Sequence, residues 1–424
     1  TQVLTLFPYT TLFRSVRAFG AAADGKTDAT AAFAQALSAA AGRGGGTVSV
    51  PAGLFLLAGS VNVPTGVALQ GTWAWPHHGA WRQGSTLCLT GGRGREDGPA
   101  AIQLGPSSAV RGLTIVHPEQ MLEDVQPYPW AIRGTGMHCT VENVTFVNCF
   151  QGIAMGPGSN ELHLIRNVFG CVLRRGIFVD GTTDIGRIEN VQFHCHWWSD
   201  AATGGDWTPV HAFMVANLEA FVFGRSDWEY VNNCFVFPAN IGYRFIKTDR
   251  GACNGQFTGI AADETQTAVQ VDDIQSMGLL ITGGQFVANK GGDPVHVRIS
   301  ETSQGNVRFV NCAFWGAARH LALVKGTGAV SFSDCSFCDW RGKASEEALV
   351  RVESGRVQIG NSSFTIPPSP FPQVAPTCVE IGPDVTHANI HDNNGTLGVR
   401  IVDKSKGRAI LRDNEKPATP QKAE

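Results

Sequence analysis

A short signature recurs along most of the chain and decides its fold: an apolar run, then Asn, Asp or Gly, two residues, and an aromatic side chain. It reads Asn143-Val-Thr-Phe146, Asn190-Val-Gln-Phe193, Asp227-Trp-Glu-Tyr230, Asn254-Gly-Gln-Phe257, Gly283-Gly-Gln-Phe286, Asn311-Cys-Ala-Phe314, Asp334-Cys-Ser-Phe337 and Asn361-Ser-Ser-Phe364, with a looser copy at Asn167. From Asn143 to Asn361 the leading residues are 24, 23, 37, 27, 29, 28, 23 and 27 positions apart. A period in the twenties with one long step indicates a solenoid that carries an insertion.

The composition of the repeat selects the type of solenoid. Val, Ile and Phe alternate with polar residues in short runs, which is typical of half-buried strands. A leucine-rich repeat would need Leu at most inward positions, and helical repeats are longer. Three short strands with their turns use about 22 to 28 residues at roughly 3.3 Å per strand residue. We therefore predict an all-β parallel β-helix, with the Asn or Asp forming a ladder at one corner. We expect the phenylalanines to form one buried stack: Phe146, Phe193, Phe257, Phe286, Phe314, Phe337 and Phe364.

The start of the chain has a different pattern. A turn over residues 23–28 precedes an Ala-rich stretch that reaches about Ala41, with Phe33 and Leu37 on one face. Thr27 or Asp28 is placed to N-cap this helix, and we expect the helix to cap the open end of the solenoid.

The predicted domain organisation is one β-helix domain over residues 16–402. Residues 16–60 form its N-terminal cap and first coil, and residues 403–424 a final strand and a disordered tail. Residues 1–15 are set aside as non-native, because Thr5 to Ser15 resembles a translated sequencing adapter.

The N-terminal segment resembles the pectate-lyase superfamily of polysaccharide lyases, glycoside hydrolases and phage tail spikes. The matching residues are Phe19-Gly20-Ala21, Asp24-Gly25, Thr27-Asp28, Thr30, Gln35, Gly45-Gly46 and Val50-Pro51 with Gly53. The resemblance implies a right-handed helix, a polysaccharide partner and a secreted or periplasmic location. The chain lacks the Asn-Thr-Asp and Gly-His-Gly motifs typical of polygalacturonases, which argues against that activity.

Composition excludes several other classes of protein. The net charge of −3 leaves no basic footprint for nucleic acid, and no apolar run is long enough to predict a membrane span. The eleven cysteines lack zinc spacing. Several that follow apolar residues in the repeat are interpreted as buried, reduced thiols, namely Cys149, Cys171, Cys195, Cys312 and Cys335. His194 and His196 share a strand face, but no third ligand is visible at a diagnostic spacing, so we predict no metal.

Charged residues concentrate between Arg174 and Glu264 and supply the candidate site. Asp184 and Asp263 are the preferred acid–base pair, and Asp227 with Glu229 is the next choice. Asp180 is a further catalytic candidate, and Arg175 is expected to bind substrate. Residues at equal phase lie about 4.8 Å apart per coil, so carboxylates two coils apart can approach the separation of about 6.5–9.5 Å of inverting glycosidases.

Tryptophans mark the wall of this predicted groove. Trp197, Trp198 and Trp207 fall in the insertion that causes the 37-residue step, and exposed indole faces can stack on sugar rings. A second group, from Trp73 through Trp75 to Trp81, either binds sugar or covers the N-terminal coils.

Three functions remain open at this point. A glycoside hydrolase, which needs one carboxylic acid and one carboxylate, is favoured. A polysaccharide lyase acting by β-elimination on a uronate polymer needs a base and a cation, either Ca²⁺ or a basic side chain, to neutralise the uronate. A non-catalytic carbohydrate-binding or tail-spike-like β-helix needs only the stacking surface. No other cofactor is expected, and the oligomeric state is left open.

Overall fold

The computed structural model describes residues 13–74, 79, 81–201, 203–341, 347–368 and 375–417. The chain divides into two compact units. Unit 1 contains the residues up to Leu173 and His194–Val210, and unit 2 contains Arg174–Phe193 and the residues from His211 onward.

Most of the described residues are in strands. Unit 1 contains β1 (Phe13–Ser15), β2 (Asp24–Asp28), β3 (Gly46–Val50), β4 (Gly53–Leu57), β5 (Val61–Val63), β6 (Val67–Gly71), β7 (Ser85–Leu89), β8 (Ile102–Leu104), β9 (Ala109–Val116), β10 (Trp130–Gly134), β11 (Thr140–Met155) and β12 (Asn160–Glu161). Strands β13 (Leu164–Val179) and β15 (Arg187–His194) contain residues of both units, and β14 (Thr182–Asp184) is in unit 2.

The remaining strands belong to unit 2. They are β16 (Glu219–Phe223), β17 (Ser226–Phe237), β18 (Ala239–Phe245), β19 (Cys253–Thr258), β20 (Ala261–Val271), β21 (Leu279–Thr282), β22 (Gln285–Ala288), β23 (Val295–Ile299), β24 (Val307–Val310), β25 (Ala313–Gly316), β26 (His320–Val324), β27 (Ala329–Ser333), β28 (Ser336–Asp339), β29 (Val350–Gly360), β30 (Ser363–Thr365), β31 (Val379–His391), β32 (Asn394–Gly395), β33 (Ile401–Asp403) and β34 (Ala409–Arg412).

The strand pairing confirms a right-handed parallel β-helix. In unit 2 one coil runs through β23, β24 and β25, and the next begins with β26, which pairs in parallel with β23. β24 pairs with β27 and β25 with β28 in the same way. Repetition produces three parallel sheets, which we call the first sheet (containing β24), the second sheet (containing β25) and the third sheet (containing β23). The long strands β17, β20, β29 and β31 pass around a corner and contribute to two sheets each.

The helices are few: α1 (Thr30–Ala41), α2 (His196–Ser199) and α3 (Trp207–Asn217), with a 3₁₀ turn at Val16–Phe19. The predicted helix α1 therefore exists, and its buried Phe33 packs against Phe55 with ring centroids 5.7 Å apart. Its N-terminus differs from the prediction, because Ala29 precedes the helix without a side-chain cap. The Asp28 carboxylate instead accepts the backbone N–H of Thr30 at 2.9 Å.

Both ends of the described chain extend the regular structure. Phe13–Ser15, which the sequence analysis set aside, pair with Thr47–Ser49 of β3. Beyond Asp403, where the sequence predicts a final strand and a disordered tail, β34 pairs with β31. Residues 1–12 and 418–424 lie outside the described residues.

The corner ladder is real, but two of its positions were assigned wrongly from the sequence. Asn190, Asn311, Asp334 and Asn361 have positive φ values of 51–56° at the corner between the first and second sheets. In the two coils between Asn190 and Gly283, this corner is occupied by Asn233 (φ 53°) and Gly259 (φ 61°), not by Asp227 and Asn254. A register shift in β17 between Ser226 and Glu229 moves the aromatic signature back into the first sheet.

The seven phenylalanines predicted to form one stack are buried, as predicted, but they do not form a single stack. All seven rings are at most 3% exposed. Phe286, Phe314, Phe337 and Phe364 stack in register in the second sheet. Phe257 lies in the first sheet, in register with Ile281, which pairs with Phe309. The core of unit 2 therefore contains two facing aromatic rows.

The cysteines behave as small apolar residues. All eleven are free thiols, and ten of them are buried. Burial raises the pKa of the Cys88 and Cys139 thiols to about 11, so these groups stay protonated at neutral pH.

Candidate functional site

A His–Glu–Lys cluster lies in unit 2 where β20 turns from the second sheet into the third. His211 Nε2 is 2.6 Å from Glu264 Oε2, and Lys290 Nζ is 3.1 Å from Glu264 Oε1. Each oxygen of the Glu264 carboxylate thus contacts a different basic group. The side chain of Glu264 is 27% exposed, so water and ligands can reach it.

The backbone at this corner is held in a conformation that L-residues rarely adopt. Glu264 has a φ of 50° although it is not glycine, and such residues concentrate at functional sites. Its backbone N–H donates to Asp263 Oδ1 at 2.7 Å. The turn therefore places two consecutive carboxyls at one corner, and we call Asp263, Glu264, His211 and Lys290 the corner cluster.

The two carboxyls of the corner cluster have different environments. Burial raises the pKa of the Asp263 carboxyl, and the negative charge of Glu264 raises it further, against the opposing effects of the Glu264 N–H and of Lys290. Glu264 has its positive partner Lys290 within ion-pair distance. Asp263 is thus biased toward the protonated form, and a carboxyl with a raised pKa beside a second carboxyl is an arrangement that general acid–base catalysis uses.

A second cluster of charges lies on the third sheet. The Glu219 carboxylate has Arg174 Nη1 at 3.7 Å and Arg175 Nε at 3.6 Å, and also contacts Arg244. Arg244 Nε in turn lies 2.9 Å from Asp272 Oδ2. We call these five residues the arginine cluster, in which three guanidinium groups face two carboxylates. The excess of positive charge suits an anionic or hydroxyl-rich ligand.

The arginine cluster lies on the third sheet, and the corner cluster lies where β20 enters that sheet. Glu219 pairs with Ile241, and the next strand places Thr267 beside Ile241. Thr267 is on β20, four residues after Asp263. About 4.8 Å separates neighbouring coils, so Glu219 lies about 10 Å from Thr267 across the strands of this sheet.

The preferred acid–base pair from the sequence is not brought together. Asp184 ends β14, where Thr182 pairs with Ser226 of the first sheet. Asp263 directly follows Ala262, which pairs with Phe286 of the second sheet. Asp184 lies six residues before the corner residue Asn190, whereas Asp263 lies four residues after the corner residue Gly259, so the two carboxyls stand on different faces.

The second predicted pair is not accessible as a pair, because only Asp227 lines a surface depression, which it shares with Asp184. Glu229 is fully buried, and its Oε2 accepts a hydrogen bond from Ser226 Oγ at 2.5 Å. Asp227 pairs with Arg225 and accepts hydrogen bonds from Asn254 and Gln275. Both carboxylates therefore belong to networks of hydrogen bonds and ion pairs within the first sheet.

Asp180 is also buried, with 4% of its surface exposed. Its Oδ1 accepts the backbone N–H of Arg225 at 2.8 Å and the Thr248 hydroxyl at 2.9 Å. The side chain thus ties together segments of three coils, and we assign it a structural role in place of the predicted catalytic one.

Asp180→Ala should lower the free energy of unfolding by about 1–3 kcal/mol, because two buried donors lose their acceptor. Asp180→Asn keeps an acceptor oxygen and should lose clearly less. Denaturant titration of both variants measures the difference, and equal stabilities for Asp180→Ala and the parent protein would contradict the structural role.

The tryptophans of the insertion do not form an exposed loop. Trp197 and Trp198 belong to helix α2 and are 4% and 0% exposed. Trp207 is half-buried and packs on His196 with ring centroids 4.3 Å apart. Sugar stacking by Trp197 and Trp198 is therefore not supported, because the helix folds both rings into unit 1. Trp73 and Trp81 likewise hydrogen-bond to protein groups, and Trp75 lies outside the described residues.

The histidine pair shows a local contact. The rings of His194 and His196 stack with centroids 4.3 Å apart, and His194 Nδ1 accepts the backbone N–H of His196. Within the described ranges, no group of three or more His, Cys, Asp or Glu side chains is arranged to hold a metal ion. No helix in the same ranges is both long and apolar enough to cross a membrane.

Sequence reasoning identified Asp263 and Arg175 but missed the catalytic potential of their partners. Lys290 follows Glu264 by 26 residues, which is one coil, so equal phase alone could have placed them together. His211 has no such signal. It lies on a helix in the insertion, 53 residues from Glu264, and only the tertiary fold brings it to the corner.

Comparisons with known proteins agree on the fold. The family described as rhamnogalacturonase A/epimerase, pectate lyase-like, matches residues 13–84. No curated protein sequence matches the chain.

Several solved structures share the architecture at low sequence identity. The A-module of mannuronan C-5 epimerase AlgE6 from Azotobacter vinelandii is 13% identical, with a TM-score of 0.53 over 96% of this chain and 100% of that one. DFA-IIIase from Arthrobacter chlorophenolicus A6, solved in complex with DFA-III, is 12% identical, with a TM-score of 0.57 over 97% and 100%. The Dettilon tailspike protein is 12% identical, with a TM-score of 0.51 over 93% and 69%. At these identities the likeness establishes the fold alone.

Proposed function

We propose that this pectate-lyase-like, right-handed parallel β-helix is a glycoside hydrolase that cleaves a polysaccharide lying across the third sheet. The observation that carries the proposal is the corner cluster, where a carboxyl with a raised pKa, Asp263, adjoins the carboxylate of Glu264 held by His211 and Lys290. The likeness in fold to the mannuronan C-5 epimerase module and to DFA-IIIase in complex with DFA-III is in keeping with it.

The proposed reaction uses the two carboxyls in different roles. Asp263, in its protonated form, donates its proton to the glycosidic oxygen as the bond to the anomeric carbon breaks. Glu264 accepts a proton from the water that attacks that carbon. His211 and Lys290 are positioning residues, since they hold the Glu264 carboxylate without contacting the reacting bond. Arg175 and Arg244 would bind the sugar on the neighbouring coils.

A second function, β-elimination by a polysaccharide lyase, is favoured by the arginine cluster. A lyase must neutralise a uronate carboxylate and remove a proton beside it. The three guanidinium groups of Arg174, Arg175 and Arg244 around two carboxylates can supply the first requirement. In this alternative a Ca²⁺ ion could share the neutralising role.

The nature of the products separates the candidate functions. We would incubate the protein with a panel of neutral and acidic polysaccharides, with either Ca²⁺ or a chelator present. Reducing ends without ultraviolet absorbance support the hydrolase, and absorbance from an unsaturated product supports the lyase. Binding without any product over the whole panel would overturn both and support a carbohydrate-binding β-helix.

The pH profile tests the role of Asp263. Because the acid acts in its protonated form, turnover should fall as pH rises through the raised pKa of Asp263. Asp263→Asn should remove this alkaline limb and lower turnover of a natural glycoside. Turnover of an aryl glycoside whose leaving group needs no proton should be affected much less. An unchanged alkaline limb in Asp263→Asn would show that another group is the acid.

A further inference from the structure

The outward face of the first sheet in unit 2 has a continuous row of side chains unrelated to the corner cluster. The row is in register from strand to strand, with one residue from each of seven coils: Tyr230, Gln256, Leu280, Arg308, Ser331, Gln358 and Asn389. At about 4.8 Å per coil, it extends over roughly 29 Å. We call this row and the residues lining its two depressions the first-sheet face.

Two adjoining depressions lie along this face and share Arg308. One has a volume of about 220 Å³ and is lined mainly by apolar groups, including Trp228, Leu280 and Met277. The other has a volume of about 390 Å³, and its lining mixes apolar groups with the polar side chains of Arg356, Gln358 and His387. An extended ligand that crosses the coils would pass from an aromatic end to a basic end.

The basic end contains two arginines without acidic partners. Among the described residues, neither Arg308 nor Arg356 has an ion pair or a side-chain hydrogen bond. The third-sheet arginines Arg298, Arg319 and Arg351 are in contrast each paired with Asp or Glu. Arg308 pairs with Ser331 of β27, and Arg356 lies one coil further on β29. The backbones of the two arginines are therefore two coils, or about 10 Å, apart across the strands, and Arg356 lies two residues before Gln358, the residue of the row on its strand.

The aromatic end presents a large exposed indole. Trp228 is 58% exposed and Met277 is 59% exposed. The backbone of Trp228 is in the left-handed region, with a φ of 59°, and its N–H donates to Asn254 Oδ1 at 3.0 Å. An aromatic ring held outward by a strained backbone is an uncommon use of a tryptophan, and flat indole faces stack well on pyranose rings.

We propose that the first-sheet face binds an extended anionic polysaccharide away from the corner cluster. Its carboxylates contact Arg308 and Arg356 on alternate coils, and a sugar ring stacks on Trp228. Gln358 and Asn389 offer hydrogen bonds to hydroxyl groups between the charges. Two carboxylates, Asp184 and Asp227, line a further depression beside Trp228. Arg225 neutralises Asp227, and the carboxylates of the ligand are placed at Arg308 and Arg356, away from Asp184. This binding site does not depend on the proposed catalytic role, since it would hold a chain whether or not the protein cleaves it.

The test is equilibrium binding to the full chain carrying Glu264→Gln, so that the probe is not consumed. The probes are a uronic acid hexamer and its carboxyl-reduced, neutral counterpart. We expect Arg308→Gln/Arg356→Gln to weaken binding of the uronate hexamer about tenfold or more and to reduce its salt dependence. Arg308→Lys/Arg356→Lys keeps the two charges, and its affinity for the uronate hexamer should lie between those of the parent and the Gln double variant. Trp228→Ala should weaken the binding of both hexamers.

Arg250→Gln is the matched control, because Arg250 is exposed in a turn outside both depressions. It should bind like the parent. Three outcomes would each overturn the proposal. The two hexamers could bind equally well, the Arg308/Arg356 double variant could keep its affinity for the uronate hexamer, or the parent could fail to bind that hexamer. Persistent turnover in Glu264→Gln would instead refute the catalytic role of Glu264 and leave the binding result standing.

Discussion

Glu264→Gln should reduce turnover by about 10²- to 10⁴-fold, the range that a positioned acid–base group contributes. The amide has the shape of the carboxylate but cannot take a proton from the attacking water. It also breaks the ion pair with Lys290, which lies 3.1 Å from Oε1 in the parent. Steady-state kinetics on the substrate found in the polysaccharide screen measures the effect, and we expect a loss in kcat rather than in KM.

The control for this variant is a carboxylate that faces solvent elsewhere in unit 2. Glu301 lies in an exposed turn after β23, and Glu301→Gln should leave turnover and thermal stability unchanged. If Glu264→Gln keeps the parent's kcat while Glu301→Gln does too, the corner cluster is not the catalytic site. If Glu264→Gln also unfolds at a lower temperature than the parent, turnover is measured in His211→Gln, which keeps the contact between Glu264 and Lys290. This variant separates the effect of a less well positioned Glu264 carboxylate from the effect of a less stable fold.

Phe314→Ala should lower the free energy of unfolding by about 3–5 kcal/mol, the usual cost of truncating a fully buried phenylalanine. Phe314 is 0% exposed and stacks between Phe286 and Phe337, with ring centroids 5.5 and 5.1 Å away. It also packs edge-on against Phe309 of the facing row at 5.7 Å. Truncation would leave a cavity where the two aromatic rows meet. Neither row can fill this cavity without a shift in the register of its strands.

Denaturant titration checks this value, with Leu411→Ala as the matched large-to-small control. Leu411 is 44% exposed on β34, so its truncation should cost within about 0.5 kcal/mol. A cost below about 1 kcal/mol for Phe314→Ala would mean that the rings do not share a close-packed core.

Repetition made the architecture readable from the sequence. A strand that alternates apolar and polar residues every coil buries the same positions each time, so the period of the Phe and Asn residues reports directly on the coil. The corner assignment failed at Asp227 and Asn254. There the signature occurs six and five residues before the true corner residues of the two coils. The true corner residues Asn233 and Gly259 have Val236 and Ala262 three residues later, so the aromatic marker is absent there.

The candidate site was less readable from the sequence. Asp184 and Asp263 are the preferred pair because neither occupies the ladder position, and the structure places them on different faces. The burial of Glu229 and Asp180 was equally hidden. A carboxylate that accepts hydrogen bonds from neighbouring coils has the same sequence appearance as one that faces solvent.

The sequence by itself determined the parallel β-helix, the helix near the N-terminus, the buried thiols and the aromatic interior of this protein. These features depend on short-range patterns that every coil repeats, and their free energy comes from burying the same apolar positions again and again. Only the tertiary structure decided which charges meet. His211, Glu264 and Lys290 come together because a helical insertion, a left-handed corner and a turn of the next coil converge, and side-chain contacts of this kind have no period. The same reason applies to Arg308 and Arg356, whose lack of acidic partners depends on every neighbouring coil.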